Sequence, residues 1–389
     1  MKKITKITVL AIFIVSSLSV MAQKPEPVYS IVRQIRDFDW YEEQAKAWKN
    51  EIDNGATDPM AWVYWHEANR MATDFCDYEK WKSKIGTYFV PTDSILNSAE
   101  KAITNSFEYY FLKHYAGRNN AENVEDAYKY ILKAHEIRPF DNLILPMLLN
   151  YYLIQNDKPN IELTCKKWFE SNEMPQDILI TLYNMLISLD KNAILLVHGD
   201  NDTFPCLVLQ YAKNIRPDVL VLNVNFAAVS ECRENVFNEN GIKQIKYEND
   251  SISYVTPQQL FKHLIENVTD RPVYVSAFAT QDIYKEYIDK MYYTGLAFKY
   301  SPKPFNSLAV LRDNVENKFL LDFLKETFYN SYAQTVVNWM NACYLSAFSQ
   351  LYNHYKRIGE KGKAQKIKEL SIKIAKDAGK TEWLDYFGK

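Results

Sequence analysis

The stretch AILLVHGDNDTFPCLVLQYAKN, residues 193 to 214, decides the fold. AILLVH is short, unbroken in its apolar character and partly β-branched, which reads as a strand buried on both faces. TFPCLVLQYAKN has the spacing of a helix, and VLVLNV at 219 to 224 reads as a second strand. Residues 193 to 224 therefore predict a β-α-β unit with parallel strands and a right-handed crossover. Further on, PVYVSAF at 272 to 278 predicts another strand, flanked by helix-like segments at 257 to 269 and 280 to 290. GLAFKYS at 295 to 301 predicts an edge strand.

On either side the hydrophobic period changes to that of helices. The chain is 14% aromatic, with 28 Tyr, 20 Phe and 8 Trp against only 10 Gly, a balance that favours stacked helices with bulky contact faces. Ala127, Tyr130, Ile131, Ala134 and Ile137 mark one helix face, and Leu143 to Ile154 follow as a second helix, giving a hairpin. Ile161, Trp168 and Pro175 stand about 34 residues after Ala127, Ala134 and Asp141, the period of a tetratricopeptide repeat. Trp168 sits where that repeat usually takes a small residue. WYEEQAKAWKNEIDNGATDPMAWVYWHEANRM, from Trp40, has a similar helix, Asp-Pro, helix shape. After Pro304 helices return, ending in a hairpin with its turn at Gly359 to Gly362. The expected fold class is α+α/β: tetratricopeptide-like hairpins flanking a small parallel-sheet α/β domain. The expected boundaries are 23–190 for the repeats, 191–305 for the α/β domain and 306–389 for the C-terminal helices.

Residues 1–22 read as a secretory signal peptide, with Lys2, Lys3 and Lys6, an apolar run from Ile7 to Val20, and Val20-Met21-Ala22 as the cleavage site. Position 23 is Gln, so lipoprotein attachment through Cys is not offered. No later run is long enough to span a bilayer, which predicts a soluble periplasmic protein with no integral membrane segment after cleavage. With 46 basic and 48 acidic residues, no nucleic-acid surface is announced. The five cysteines lack C-x-x-C spacing and leave two readings open: one bridge, such as Cys206 to Cys232, or five free thiols.

The candidate site is the acidic turn, Gly199, Asp200, Asn201, Asp202 and Thr203. A turn between the end of a strand and the start of a helix is where α/β sheets bind ligands. Three readings compete. Asp202 or Thr203 caps the helix in a closed turn, with Pro205 in its first turn; the turn receives a ligand or partner; or Asp200 and Asp202 bridge a divalent cation, for which two carboxylates are a thin ligand set. Phosphate would meet like charge here. His66-Glu67 begins like a zinc-protease helix, but Arg70 occupies the place of the second histidine. His198 with Asp200 and Cys206 is the only arrangement nearby that resembles nucleophilic machinery. No catalytic residue, metal site or cofactor is assigned. Asp93-Ser94-Ile95 and Asp250-Ser251-Ile252 match a short acceptor pattern for bacterial O-glycosylation.

GDNDTFPCLVLQ, IRPDVLVLNV, DRPVYVSAF and YTGLAFKYSP, taken in order, resemble the soluble C-terminal region of bacterial protein O-mannosyltransferase-like membrane proteins, a multi-pass class of glycosyltransferase-C type. The likeness covers roughly residues 190 to 305. The multi-pass region that carries glycosyl transfer in that family is not found in this chain, so the resemblance implies a shared exported accessory domain and no catalysis. The expected function is an exported noncatalytic interaction or assembly protein that holds a protein or peptide partner through its helical repeats. The alternative is a glycan-handling protein, or an accessory of a membrane glycosyltransferase, using Asp200 and Asp202 as a sugar or metal site.

Overall fold

A computed structural model of the chain describes residues 25–86, 88–118, 124–246, 254–325 and 332–388. The expected signal peptide, 1–22, and the pattern at Asp250-Ser251-Ile252 lie outside the described residues. Helices α1 (Phe38–Asp53), α2 (Met60–Met71), α3 (Tyr78–Ser83), α4 (Thr92–Ile103), α5 (Phe107–Arg118), α6 (Val124–Ile137), α7 (Leu145–Ile154), α8 (Lys158–Glu170) and α9 (Gln176–Ile187) come first. The α/β portion follows as β1 (Ile194–Val197), α10 (Asp200–Lys213), β2 (Leu220–Asn223), α11 (Val224–Ala228), α12 (Ser230–Glu239), α13 (Pro257–Asn267), β3 (Val273–Ser276), β4 (Met291–Tyr293) and β5 (Ala297–Tyr300). The chain closes with α14 (Ser307–Asp313), α15 (Gln334–Asn341), α16 (Tyr344–Ile358), α17 (Lys361–Asp377) and α18 (Thr381–Gly388). The architecture is α+α/β, as the periodicity predicts.

The sheet order is β2-β1-β3-β5-β4. β1 pairs in parallel with β2 and β3, so the β-α-β unit forms as expected. β5 pairs antiparallel with β3 and with β4. The sheet is thus mixed rather than parallel throughout. GLAFKYS supplies an interior strand, and the edge is MYY (291–293), which the sequence reading passes over. The β4–β5 hairpin turns at Gly295, whose φ of +143° suits glycine, and an added Cβ would lie 2.8 Å from the Phe319 ring.

Alternate residues of β1 serve the two faces. Leu195 and Val197 join a buried cluster that runs from Tyr41 and Trp65 through Trp168 and Phe204 to Phe348 and Phe387. Ile194 and Leu196 join a second cluster with Phe237, Phe261 and Tyr284 on the far face. The first cluster crosses both expected domain boundaries without a gap.

Pairing in the helical layer runs one helix out of step with the reading of the sequence. α6 lies mainly against α5, with only a smaller contact on α7, and α8 packs on α7 and α10. Small buried residues on α6, Ala127 and Ala134, let the bulkier α5 approach with Phe111 and Leu112. The C-terminal hairpin is as expected, with Gly359 at φ +78° ending α16. Ser94 falls in the first turn of α4, with Ile95 fully buried beside it. No helix among the described residues is long and apolar enough to cross a membrane. All five cysteines are free, so the bridge from Cys206 to Cys232 is not formed.

Candidate functional site

β1 lies between β2 and β3, and the chain leaves it toward one neighbour and later returns on the other side. The carboxyl end of β1 is therefore a topological switch point, the place where open α/β sheets form a crevice. The acidic turn sits there, and its five residues divide into an inward and an outward set.

Asp202 and Thr203 face inward. Asp202, 1% exposed, is the third residue of α10, and its carboxylate accepts from the Gly199 N–H at 2.8 Å and the His198 N–H at 3.2 Å. The Thr203 hydroxyl donates to the Gly199 carbonyl at 2.6 Å and accepts from Asn223 Nδ2 at 2.7 Å. Asn223 caps α11 by accepting from the Asn225 and Phe226 N–H groups, and Asn225 Nδ2 returns to the His198 carbonyl at 2.8 Å. The ends of β1 and β2 are thus laced together, and the closed, capped reading of the turn holds for these two residues. Burial raises the Asp202 carboxyl to about 6, outweighing the bonds from His198, Ser276 and Gly199 that favour its charge. With Asp202 committed in this way, a cation shared with Asp200 has no second carboxylate to turn to. Cys206 is fully buried and its thiol is pushed well up by that burial, which removes it as a nucleophile.

Gly199, Asp200 and Asn201 face outward. Gly199 and Asp200 border a cleft of about 500 Å³ together with His198 and Asn225. Its other walls come from the helical layer: Tyr29 and Arg33 ahead of α1, Glu67 and Arg70 of α2, His114 and Tyr115 of α5, Tyr128 of α6 and Asn150 of α7. Asp200 and Asn201 also border a smaller apolar cavity with Trp168, Ile178 and Phe204. The charges of Arg33, Glu67 and Arg70 on the walls are matched within the protein. Arg33 Nη1 lies 3.1 Å from Glu173, and Arg33 Nη2 donates to the Asn142 carbonyl at 2.7 Å. Arg70 Nη2 lies 2.7 Å from Glu67, and its guanidinium sits 4.8 Å from the centre of the Tyr115 ring. Burial raises the Glu67 carboxyl, but Arg70 and His66 more than offset it and hold the group well below the usual range. Asn150 Oδ1 is buried without a hydrogen-bond partner.

Of the candidate residues, the structure brings Gly199 and Asp200 to the cleft and uses Asp202 and Thr203 to build the turn. Sequence reasoning misses Arg33, Arg70, His114, Tyr128 and Asn150. They come from five separate segments with no local pattern to announce them. The motifs around the turn prove structural. Arg216, at φ +47°, donates to the carbonyls of Leu186 in the last turn of α9 and of Leu189 and Asp190 beyond it, and pairs with Asp218. Arg271 donates to the Asn192 carbonyl at 2.9 Å, so the Arg-Pro dipeptides at 216–217 and 271–272 hold the segment entering β1. Among the described residues, no group of three or more His, Cys, Asp or Glu side chains is placed to hold a metal ion.

No curated protein and no solved structure matches the chain. Residues 180–262, from α9 to the first half of α13 and so including the acidic turn, match the family described as TMEM260-associated domain 2.

Proposed function

We propose that this is an exported, noncatalytic interaction or assembly protein whose cleft receives a polar segment of a partner. The observation that carries the reading is the cleft itself: it opens at the switch point of the sheet, it is walled by aromatic rings and by the paired charges of Arg33 with Glu173 and Arg70 with Glu67, and the Cys206 thiol beside the turn is sealed in the core. An enzyme would need an acid, a base and a nucleophile converging on one substrate position. Here Asp202 is spent on the turn and Glu67 on Arg70. The unpartnered Asn150 acceptor at the cleft gives a ligand's N–H or O–H group a place to bind.

A glycan-bearing partner is the second reading. Tyr29, Phe75, Tyr115 and Tyr128 offer ring faces, and the matched charges suit an uncharged, hydroxyl-rich ligand. The family match at 180–262 supports it, because most of it overlaps the region that resembles the soluble part of the O-mannosyltransferase-like proteins.

The test is site-specific photo-cross-linking in the cell envelope, with p-benzoylphenylalanine replacing Tyr128 in the cleft or Gln365 on the exposed face of α17. A discrete product from position 128 only, lost on Asp200→Arg without a change in melting temperature, is the expected outcome. The same products from both positions would refute it. Sensitivity of that product to glycosidases would select the second reading.

A further inference from the structure

A second, smaller chamber of about 190 Å³ lies behind the cleft wall, bordered by His66, Thr73, Asp74, Trp81, Thr92 and Tyr115. Arg70, Phe75 and Tyr115 border both spaces, so the chamber adjoins the cleft. Its floor is built by α2 and by the π-helical turn Ala72–Cys76 that follows it, a backbone irregularity that often marks functional positions.

His66 is 1% exposed, and its Nε2 has no hydrogen-bond partner. The other ring nitrogen, Nδ1, lies 3.2 Å from Glu67 Oε1. A carboxylate at Nδ1 fixes that nitrogen as the donor and leaves Nε2 of the neutral ring with a bare lone pair. Neighbouring polar groups do not answer it. Asn69 Nδ2 donates to the Trp65 carbonyl, Asn69 Oδ1 accepts from the Val90 N–H, the Thr73 hydroxyl donates to the Asn69 carbonyl, and Arg70 is held by Glu67. A buried acceptor left in this state is costly unless something enters to donate to it.

We propose that this chamber is a binding site for a small, neutral, hydroxyl-rich molecule of the sugar or polyol class, with one hydroxyl donating to His66 Nε2. The space far exceeds the ~10–15 Å³ that a single water needs. The carboxylates of Asp74 and Glu67 set against the single guanidinium of Arg70 disfavour an anion. The Trp81 and Tyr115 rings supply apolar faces beside the hydroxyl partners, a combination that matches the alternating C–H and O–H surface of a sugar ring. This site is separate from the acidic turn and does not depend on the partner reading of the cleft.

The experiment uses the full chain labelled with 15N-histidine, titrated with glucose, mannose, N-acetylglucosamine and myo-inositol. The free protein should show the Nδ1–H tautomer at His66, and at least one probe should shift the Nε2 resonance. Thr92→Tyr, which fills the chamber from the start of α4 and leaves the His66 and Glu67 side chains themselves unaltered, should weaken that probe on the order of tenfold or more. His66→Phe should do the same, and Thr92→Tyr keeps the test decisive if His66→Phe fails to fold. An unmoved His66 signal with every probe would mean that the chamber holds only water, and unchanged affinity in Thr92→Tyr would place the probe elsewhere; either result overturns the proposal. Cross-linking from position 128 should survive Thr92→Tyr, so loss of the chamber site and loss of the partner reading give different signatures.

Discussion

Replacing Asp202 with Asn isolates the energetics of the acidic turn. Asp202 holds its proton to about pH 6 in the fold, against an ordinary 3.8, chiefly because burial penalises its charge. Below about pH 4 the folded and unfolded states both carry the proton. Between about pH 4 and pH 6 the unfolded chain gives it up while the folded chain keeps it, so stability falls as pH rises through this window. The separation of the two values corresponds to about 3 kcal/mol, fully lost above about pH 6. The Asn variant cannot titrate. Its Oδ1 keeps the bond to the Gly199 N–H, while its Nδ2 faces the His198 N–H, a fixed cost of about 1–2 kcal/mol at every pH. Urea unfolding followed by tryptophan fluorescence at pH 4, 5, 6 and 7 gives the difference between the two proteins, in which the other carboxylates cancel. The variant should gain on the wild type by about 3 kcal/mol across the series. A constant difference would refute the reasoning. A difference moving the other way would show that the two backbone N–H groups outweigh burial and hold the carboxylate charged.

Two further substitutions probe the frame around the site. Gly295→Ala should destabilise the protein by about 2 kcal/mol or more, since φ +143° is strained for alanine and the new methyl meets Phe319; thermal unfolding at the wild-type temperature would contradict the close approach. Arg216→Ala should cost on the order of 2 kcal/mol by stripping the carbonyls at and after the end of α9 of their donor, and Arg216→Lys should recover only part of it, because one ammonium cannot reach three carbonyls and Asp218 together. Full recovery by Lys in denaturant titration would show that charge rather than the guanidinium fork matters.

The parallel half of the sheet was legible because strands buried on both faces must be apolar without alternation, and AILLVH and PVYVSAF carry that signal. The antiparallel half was not. MYY is three residues long, follows a 3-10 segment (Gln281–Lys290) that looks helical, and owes its place to pairing with β5 rather than to its own composition. The turn was readable as a helix start, and Asp202 and Thr203 behave as such. Which of its residues point outward was not, because that depends on Asn223 and Ser276 arriving from other strands. The cleft walls were hidden for a related reason. Tyr115 and Tyr128 follow the same helical spacing as core aromatics, and only the packing of α6 against α5 and α7 determines that these two border open space. The hairpin phase failed on similar ground, since a face of small residues does not say whether the preceding or the following helix covers it.

The cluster that runs unbroken from the helical layer through one face of the sheet also bears on how fast a ligand could come and go. A two-part binding site usually closes about a hinge, and a hinge needs a seam with little packed across it. Here Phe204, two residues beyond Asp202 on the helix that begins with the turn, lies 5.5 Å from the Trp168 ring of α8, and Tyr274 on β3 reaches Asp190 after α9. The two walls of the cleft are fixed to each other by the same side chains that fold the protein. Association should then be set by diffusion and orientation, with no slow closing step, and differences among ligands should show up in how quickly they leave.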